Sequence, residues 1–212
     1  ISNKNKTIMR NITPTPLTFC KFFFCCLIIL FNSCSSDENK DESDSESEVS
    51  EALHLAFKTP DWERYINCDR LDLIPNAIND STNVVFASSE STRETFFFSY
   101  PKDSSKIVKA KILSKHKIME YGNNNEPFQF SQKLPLDGNS IDDTTKRLVS
   151  SEGQSDTEYN QVIGIKYLKS ESNYAVFRVQ CKYEMKTYLI DATETIKNVT
   201  GTFAFKVRVA KK

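Results

Sequence analysis

The chain has 212 residues, with 28 basic and 28 acidic side chains and two histidines, for a formal net charge of zero. That balance excludes the strongly basic surface of a nucleic-acid binder, and no nucleic-acid partner is expected. The zero is a sum of unlike parts: residues 35–51 carry eight acids against one base, whereas residues 52–212 carry 23 bases against 20 acids.

The first element in chain order is an apolar run from Phe22 to Phe31. It is too short for a membrane-spanning helix, which needs about 20 such residues. Lys4, Lys6, Arg10 and Lys21 precede it, and no acid occurs before Asp37. A basic start followed by a short apolar run reads as a secretory signal over residues 1–33, with Met9 as the candidate start. The run ends in Phe31-Asn32-Ser33-Cys34. This stretch resembles the lipobox of a bacterial lipoprotein, in which small residues precede the cysteine that receives lipid. Ser33 fits the pattern; Phe31 and Asn32 depart from its strict form. The resemblance implies acylation at Cys34 and a membrane partner held through that lipid, since two or more acyl chains anchor stably. Residues 34–51 then read as an acidic, disordered tether, too polar to bury apolar surface. Asp37 and Glu38 resemble the export signal of Bacteroidetes-type lipoproteins, which implies the outer membrane, facing the cell exterior.

Residues 52–212 are long enough for one domain with a proper core. They hold Cys68 and Cys181. In an exported chain such a pair suggests a disulfide; two buried thiols packing as small hydrophobes is the other reading. Thr59-Pro60-Asp61-Trp62-Glu63 has the chemistry of a helix start, with Thr59 as cap and Pro60 in the first turn. Residues 83–88 and 95–100 read as a hairpin joined through 89–93, and Phe96-Phe97-Phe98 as burial on both faces. Between Lys102 and Lys117, alternation of Val108, Ala110 and Ile112 predicts a strand. Residues 118–121 and 128–131 read as short strands around the 122–125 turn, and residues 134–153 as loop.

The clearest period-two patterns come last. Residues 159–168 predict a strand with Ile163, Ile165 and Tyr167 on one face. Residues 174–189 predict a long one with Ala175, Phe177, Val179, Cys181, Tyr183 and Met185 inward and a bend or bulge near 184–186. Asn198 to Gly201 supplies turn chemistry before a final strand with Phe203, Phe205, Val207 and Val209 inward. These elements predict an all-β, mainly antiparallel fold: a single β-sandwich-like domain with one short helix.

Candidate chemistry is sparse. No zinc-binding or nucleophile motif occurs, no cofactor is expected, and His54 and His116 read as packing or surface residues. Asp137, Asn139, Asp142 and Asp143 gather oxygen ligands in one loop, a candidate calcium site, though not in EF-hand order. Lys106, Lys109 and Lys111, within a lysine-rich stretch, suit an acidic glycan or phosphate. Trp62 and Tyr65, among polar neighbours, suit a sugar ring. The functional expectation is a non-catalytic binding or structural module of the envelope, with a glycan or an envelope protein as partner. The alternative is a membrane-anchored glycan-acting hydrolase or a carbohydrate-binding accessory protein.

Overall fold

The computed structural model describes residues 50–212. The signal segment, Cys34 and the tether as far as Val49 lie outside the described residues. From Ser50 onward the chain is all-β: β1 (His54–Lys58), β2 (Glu63–Asn67), β3 (Asn76–Ala77), β4 (Thr82–Ser88), β5 (Thr95–Pro101), a five-residue helix α1 (Ser104–Val108), β6 (Lys115–His116), β7 (Phe130–Pro135), β8 (Arg147–Ser150), β9 (Tyr159–Ser170), β10 (Tyr174–Leu189) and β11 (Ala192–Ala210). Among the described residues no helix is long and apolar enough to cross a membrane.

All pairings between these strands are antiparallel, in the order β2-β1-β11-β10-β8-β7-β5-β4-β3, with β9 and then β6 branching from β10. The branch explains the layered form. β10 is long enough to have two partners on one side: Ala175–Glu184 pair with β9, and Thr187–Leu189 pair with β8. A sheet that changes neighbour partway along a strand folds over itself and faces its own apolar side, giving an open, sandwich-like arrangement.

The core is aromatic. Phe203 of β11 lies 5.0 Å from Phe98 of β5, 4.9 Å from Phe130 of β7 and 4.7 Å from Phe205, ring centre to ring centre. Phe96 stacks on Phe205 at 4.4 Å. These rings are fully or almost fully buried. Each such ring contributes roughly 1.5–3 kcal/mol through burial alone, with offset and edge contacts adding to it. Phe97, between Phe96 and Phe98, turns outward and is half-buried between Phe86 and Tyr121, so the triple phenylalanine is covered on both faces but dry on only one.

Several expectations are corrected. Thr59–Trp62 is the turn of the β1–β2 hairpin, not a helix start: Thr59 Oγ1 accepts from the backbone N–H of Asp61 and Trp62, and Thr59 N–H donates to Trp62 O at 2.8 Å. The side-chain chemistry of a cap serves a tight turn equally well. The helix lies instead at Ser104–Val108, capped by Asp103, whose Oδ1 accepts from Ser105 N–H, with Ile107 as its buried anchor. That region was expected to be a strand; Lys115–His116 is the one strand there. Residues 118–121 form no strand of their own but make isolated bridges through Ile118. The expected loop 134–153 contains β8, every residue of which is buried. Four residues are too few for a period to show.

β11 begins nine residues before Gly201, and the β10–β11 turn is Ile190–Asp191, not 198–201. The register of β10 runs unbroken through 184–186. It shifts at Val176/Phe177 and Gln180/Cys181 against β9, and at Tyr188/Leu189 against β11. The Gln180/Cys181 shift turns Asn160 and Val162 of β9 inward and leaves Ile163 and Ile165 half-buried and Tyr167 exposed.

Gly201 sits inside β11 because Tyr183 needs its space. The two are paired across β10 and β11. The Tyr183 ring lies over the glycine, and its hydroxyl donates to Gln132 Oε1 at 2.9 Å. A Cβ at 201 would collide with the Ala56 carbonyl oxygen and the Tyr183 ring, coming to 2.5 Å from the Tyr183 hydroxyl oxygen. Backbone cannot yield cheaply there. Gly201→Ala is therefore expected to lower stability by about 1–3 kcal/mol, the usual range for overpacking, read as a lower urea midpoint.

The open ends of the sheet are joined by charge. Arg64 of β2 donates Nη1–H to Glu94 Oε1 at 2.5 Å and to Thr92 O at 3.0 Å, across to the β4–β5 hairpin. Burial raises the Glu94 carboxyl above its ordinary range, against the pull of Thr92 and Arg64. Arg64→Met would leave a buried, unpaired carboxylate, with an expected loss of about 3–5 kcal/mol at neutral pH. A raised carboxyl pKa means the fold is disfavoured once that group ionises, so the penalty is relieved as pH falls toward the unfolded value. Urea melts of variant and parent should therefore converge between pH 7 and pH 4.

Candidate functional site

The strand register places two rows of side chains on the face opposite the core. One row is Tyr65, Ala56, Thr202, Lys182 and Gln161, across β2, β1, β11, β10 and β9; the next is Glu63, Lys58, Thr200, Glu184 and Tyr159. Small residues in the middle and rings at the ends make a trough of about 630 Å³, lined by Tyr65, Ala56, Thr200, Thr202, Lys182 and Tyr159 among others. Four strand spacings separate β2 from β9, about 19 Å at the usual 4.7–4.9 Å each. The trough is therefore long and shallow, suited to an extended ligand.

Both end rings are held from behind. Tyr65 stacks on the His54 imidazole, centroids 5.3 Å apart and planes 9° apart. His54 is itself fixed and buried: Nδ1 faces Ala52 O at 2.7 Å, and Nε2 faces Thr202 Oγ1 at 2.9 Å. A carbonyl only accepts, so Nδ1 carries the proton. Tyr159 has the Lys115 ammonium over its ring at 4.3 Å, and Lys115 is paired with Asp156 at 3.0 Å. Tyr65 still has 55 % of its surface exposed. On the rim, Lys58 and Glu63 pair loosely at 3.9 Å. Among the described residues, Glu63 and Glu184 are the trough's two carboxylates, on strands three spacings apart, about 14 Å between backbones.

The residues singled out from sequence do not assemble. Tyr65 lies in the trough. Trp62 does not: its ring packs edge-on against Phe57 at 5.1 Å, lies under the Arg64 guanidinium at 4.8 Å, and donates Nε1–H to Leu136 O. It is a plug at the edge of the core. Lys106, Lys109 and Lys111 are exposed on and after α1, outside the trough. His116 is half-buried against Phe128, and burial lowers its pKa.

Asp137, Asn139, Asp142 and Asp143 line one concavity, where Asp137 Oδ1 and both Asp143 carboxylate oxygens have partners. Asp137 Oδ1 accepts from the Asn139 and Ser140 amides, Asp143 Oδ1 accepts from Thr145, and Lys146 pairs with Asp143 at 3.3 Å. Among the described residues no group of three acids, histidines or cysteines is placed to hold a metal.

Tyr159, Thr200, Thr202, Lys182, Glu184 and Lys58 were not singled out from sequence. The signal for Lys182 and Glu184 was the outward half of the alternation in residues 174–189; nothing in one strand announces which outward residues of another will stand beside it. Cys68 and Cys181, the expected disulfide, are separate buried thiols. Cys68 follows β2 with Sγ toward Ile66 O, and burial pushes its pKa up to about 11. Cys181 is in mid-β10 beside Asn160, and burial pushes it higher still. Neither has the thiolate character that reactivity requires. Alkylation of the folded chain is expected to label neither cysteine and alkylation after unfolding without reductant to label both, located by peptide mass.

The chain matches no protein-family model, no characterised protein sequence and no solved structure.

Proposed function

We propose that this chain is a lipid-anchored binding module of the bacterial envelope, held through Cys34 at the outer membrane and facing outward, and that the trough on β2-β1-β11-β10-β9 receives its partner. The observation that carries the reading is the trough: two tyrosines pinned from behind, at opposite ends of a floor of small side chains. Pinned rings lose little entropy on binding, and their apolar faces with polar edges suit the alternating apolar and hydroxyl surfaces of a sugar chain. Lys58, Glu63 and Glu184 offer both donors and acceptors to hydroxyls. A saccharide chain of a few units is accordingly the partner class proposed.

The hydrolase alternative is less well supported by the same geometry. Glycosidase carboxyl groups stand roughly 5–9.5 Å apart across one bond, whereas Glu63 and Glu184 project from strands about 14 Å apart. The parallel display of side chains on a sheet face favours holding a chain over cutting it.

The test has two arms. Cys34→Ala is expected to move the protein from the detergent phase to the aqueous phase; continued partition into detergent would overturn the anchor. On a glycan array, Tyr65→Ala and Tyr159→Ala are each expected to weaken binding about tenfold, the loss of a contact worth about 1.4 kcal/mol. Array binding unchanged in both variants would overturn the trough as the site.

A further inference from the structure

The outer face of the β4-β5-β7-β8 layer carries a concavity of about 330 Å³ that shares no lining residue with the trough. The strand register builds it. Ser88 is paired with Thr95, Thr95 with Lys133, and Arg147 with Pro135, two residues beyond Lys133 on β7. Side chains two apart on a strand share a face, so Ser88, Thr95, Lys133 and Arg147 stand on one side, and the β4–β5 turn adds Glu90 and Arg93. Arg147 is only 5 % exposed. Its Nη1 donates to Ser140 O and Lys146 O and its Nη2 to Ile141 O, each at 2.9 Å. Those partners are neutral carbonyls. Its Nε–H has no partner, yet it is not sealed from water as Arg178 Nε is. Among the described residues none of Arg93, Lys133 and Arg147 is in an ion pair. Lys133 lies over the Tyr121 ring at 5.0 Å, which orients its charge without neutralising it. A buried guanidinium met only by dipoles is costly, and the rule for buried charges is a counter-charge.

The chemistry of the counter-charge follows from the lining. Three cations stand against one carboxylate, Glu90, leaving two positive charges unbalanced. A carboxylate or a sulfate ester brings one negative charge and would leave one cation over. A phosphate group free or in a monoester brings about −1.5 to −2 at neutral pH, with three or more acceptor oxygens. Those oxygens match the donors present: the Arg147 Nε–H, the Arg93 guanidinium and the Lys133 ammonium. The Ser88 and Thr95 hydroxyls, 2.9 Å from each other, add neutral donors beside them. The volume equals the share of about eleven waters at about 30 Å³ each, room for the group and part of whatever carries it. We propose that this concavity binds a dianionic phosphate group, free or as a monoester, with Arg147 as its buried donor and Arg93 and Lys133 as its outer cations.

The test is calorimetric titration of the full chain with inorganic phosphate, phenyl phosphate and acetate at about pH 8, where phosphate is dianionic. The expected result is saturable one-to-one binding of both phosphates, roughly tenfold or more tighter than acetate. Tighter binding of phenyl phosphate identifies an ester as the form the site takes; tighter binding of inorganic phosphate identifies the free ion. Arg93 and Glu90 are both exposed and outside any ion pair of the described residues, so their variants should keep the parent's urea midpoint. Arg93→Met is expected to weaken phosphate binding about fivefold, and Glu90→Gln to tighten it about threefold, the upper reach of exposed charge pairs. Arg147→Met should abolish saturable binding. Should that variant fail to fold, because three carbonyls lose their donor, Arg93→Met and Lys133→Met decide the matter. Absence of saturable binding of either phosphate, acetate binding as tight as phosphate, or parent affinity in both Arg93→Met and Lys133→Met would overturn the proposal.

Discussion

Tyr183 needs room, and Gly201 is where the room is. That exchange of a ring for a missing side chain governs how β10 and β11 lie together, and most of the remaining structure is attached to these two strands. The ring turns inward and meets Phe130 at 4.5 Å, while its hydroxyl is held by Gln132 of β7. One residue thus ties the β11–β10 layer to the β7–β5 layer through both a packing contact and a buried hydrogen bond. The same glycine keeps β11 close to β1, whose Ala56 carbonyl lies beneath it. Strand closeness on the inner face becomes a smooth floor on the outer face, since Thr200 and Thr202 flank Gly201 and point the other way. The trough is therefore the reverse side of the contact between Tyr183 and Gly201.

The opposite constraint operates where the sheet does not close. An open sheet leaves two ends that packing alone must bring together, and here β2 meets the β4–β5 hairpin through one ion pair. Breaking even in free energy is the usual result for a buried pair, because desolvation offsets attraction. Its value is positional: the Arg64 fork reaches both Glu94 and the Thr92 carbonyl, and lies over the Trp62 ring on its other side. A hydrophobic substitute would fill the space without fixing the hairpin relative to β2.

What could be read from sequence follows from the length over which a period is displayed. Tyr174–Leu189 shows eight alternations, and its strand and inward face are as read; so is the Thr82–Ser88 and Thr95–Pro101 hairpin, where a polar six-residue loop separates two apolar runs. β8 shows two alternations at most and was hidden among Asp, Thr and Lys. The Thr59 segment misled because one hydroxyl can satisfy the N–H groups of a helix start or of a hairpin turn, and only the partner strand decides between them. Gly201 misled for a related reason. Glycine marks turns when it supplies a positive φ, but here it supplies space, and the demand for space came from Tyr183, eighteen positions earlier. The trough was illegible for the same cause: apart from Tyr65, the residues that face it are ordinary outward positions until five strands are set side by side.

The entry of the chain into the domain bears on how the trough would be presented. Arg178 on β10 grips Glu51 through Nη2 to Oε1 at 3.0 Å and through Nη1 to the Glu51 carbonyl at 2.8 Å, and Gln180 donates to the Ser50 carbonyl. The Arg178 guanidinium, with help from Lys166, holds the Glu51 carboxyl below its usual range. Ser50 thus lies on the outer face of β10, two and four residues from Lys182 and Glu184 of the trough when counted from Gln180. β10 is paired along both edges for most of its length, so tension applied upstream of Ser50 is received by the best-supported strand in the sheet and shared with β9 and β11 as shear. Hydrogen bonds loaded in shear break together, not one by one. On the proposed anchoring, load applied upstream would be borne by β10 and its two neighbours, and β10 is also the strand that carries Lys182 and Glu184 of the trough.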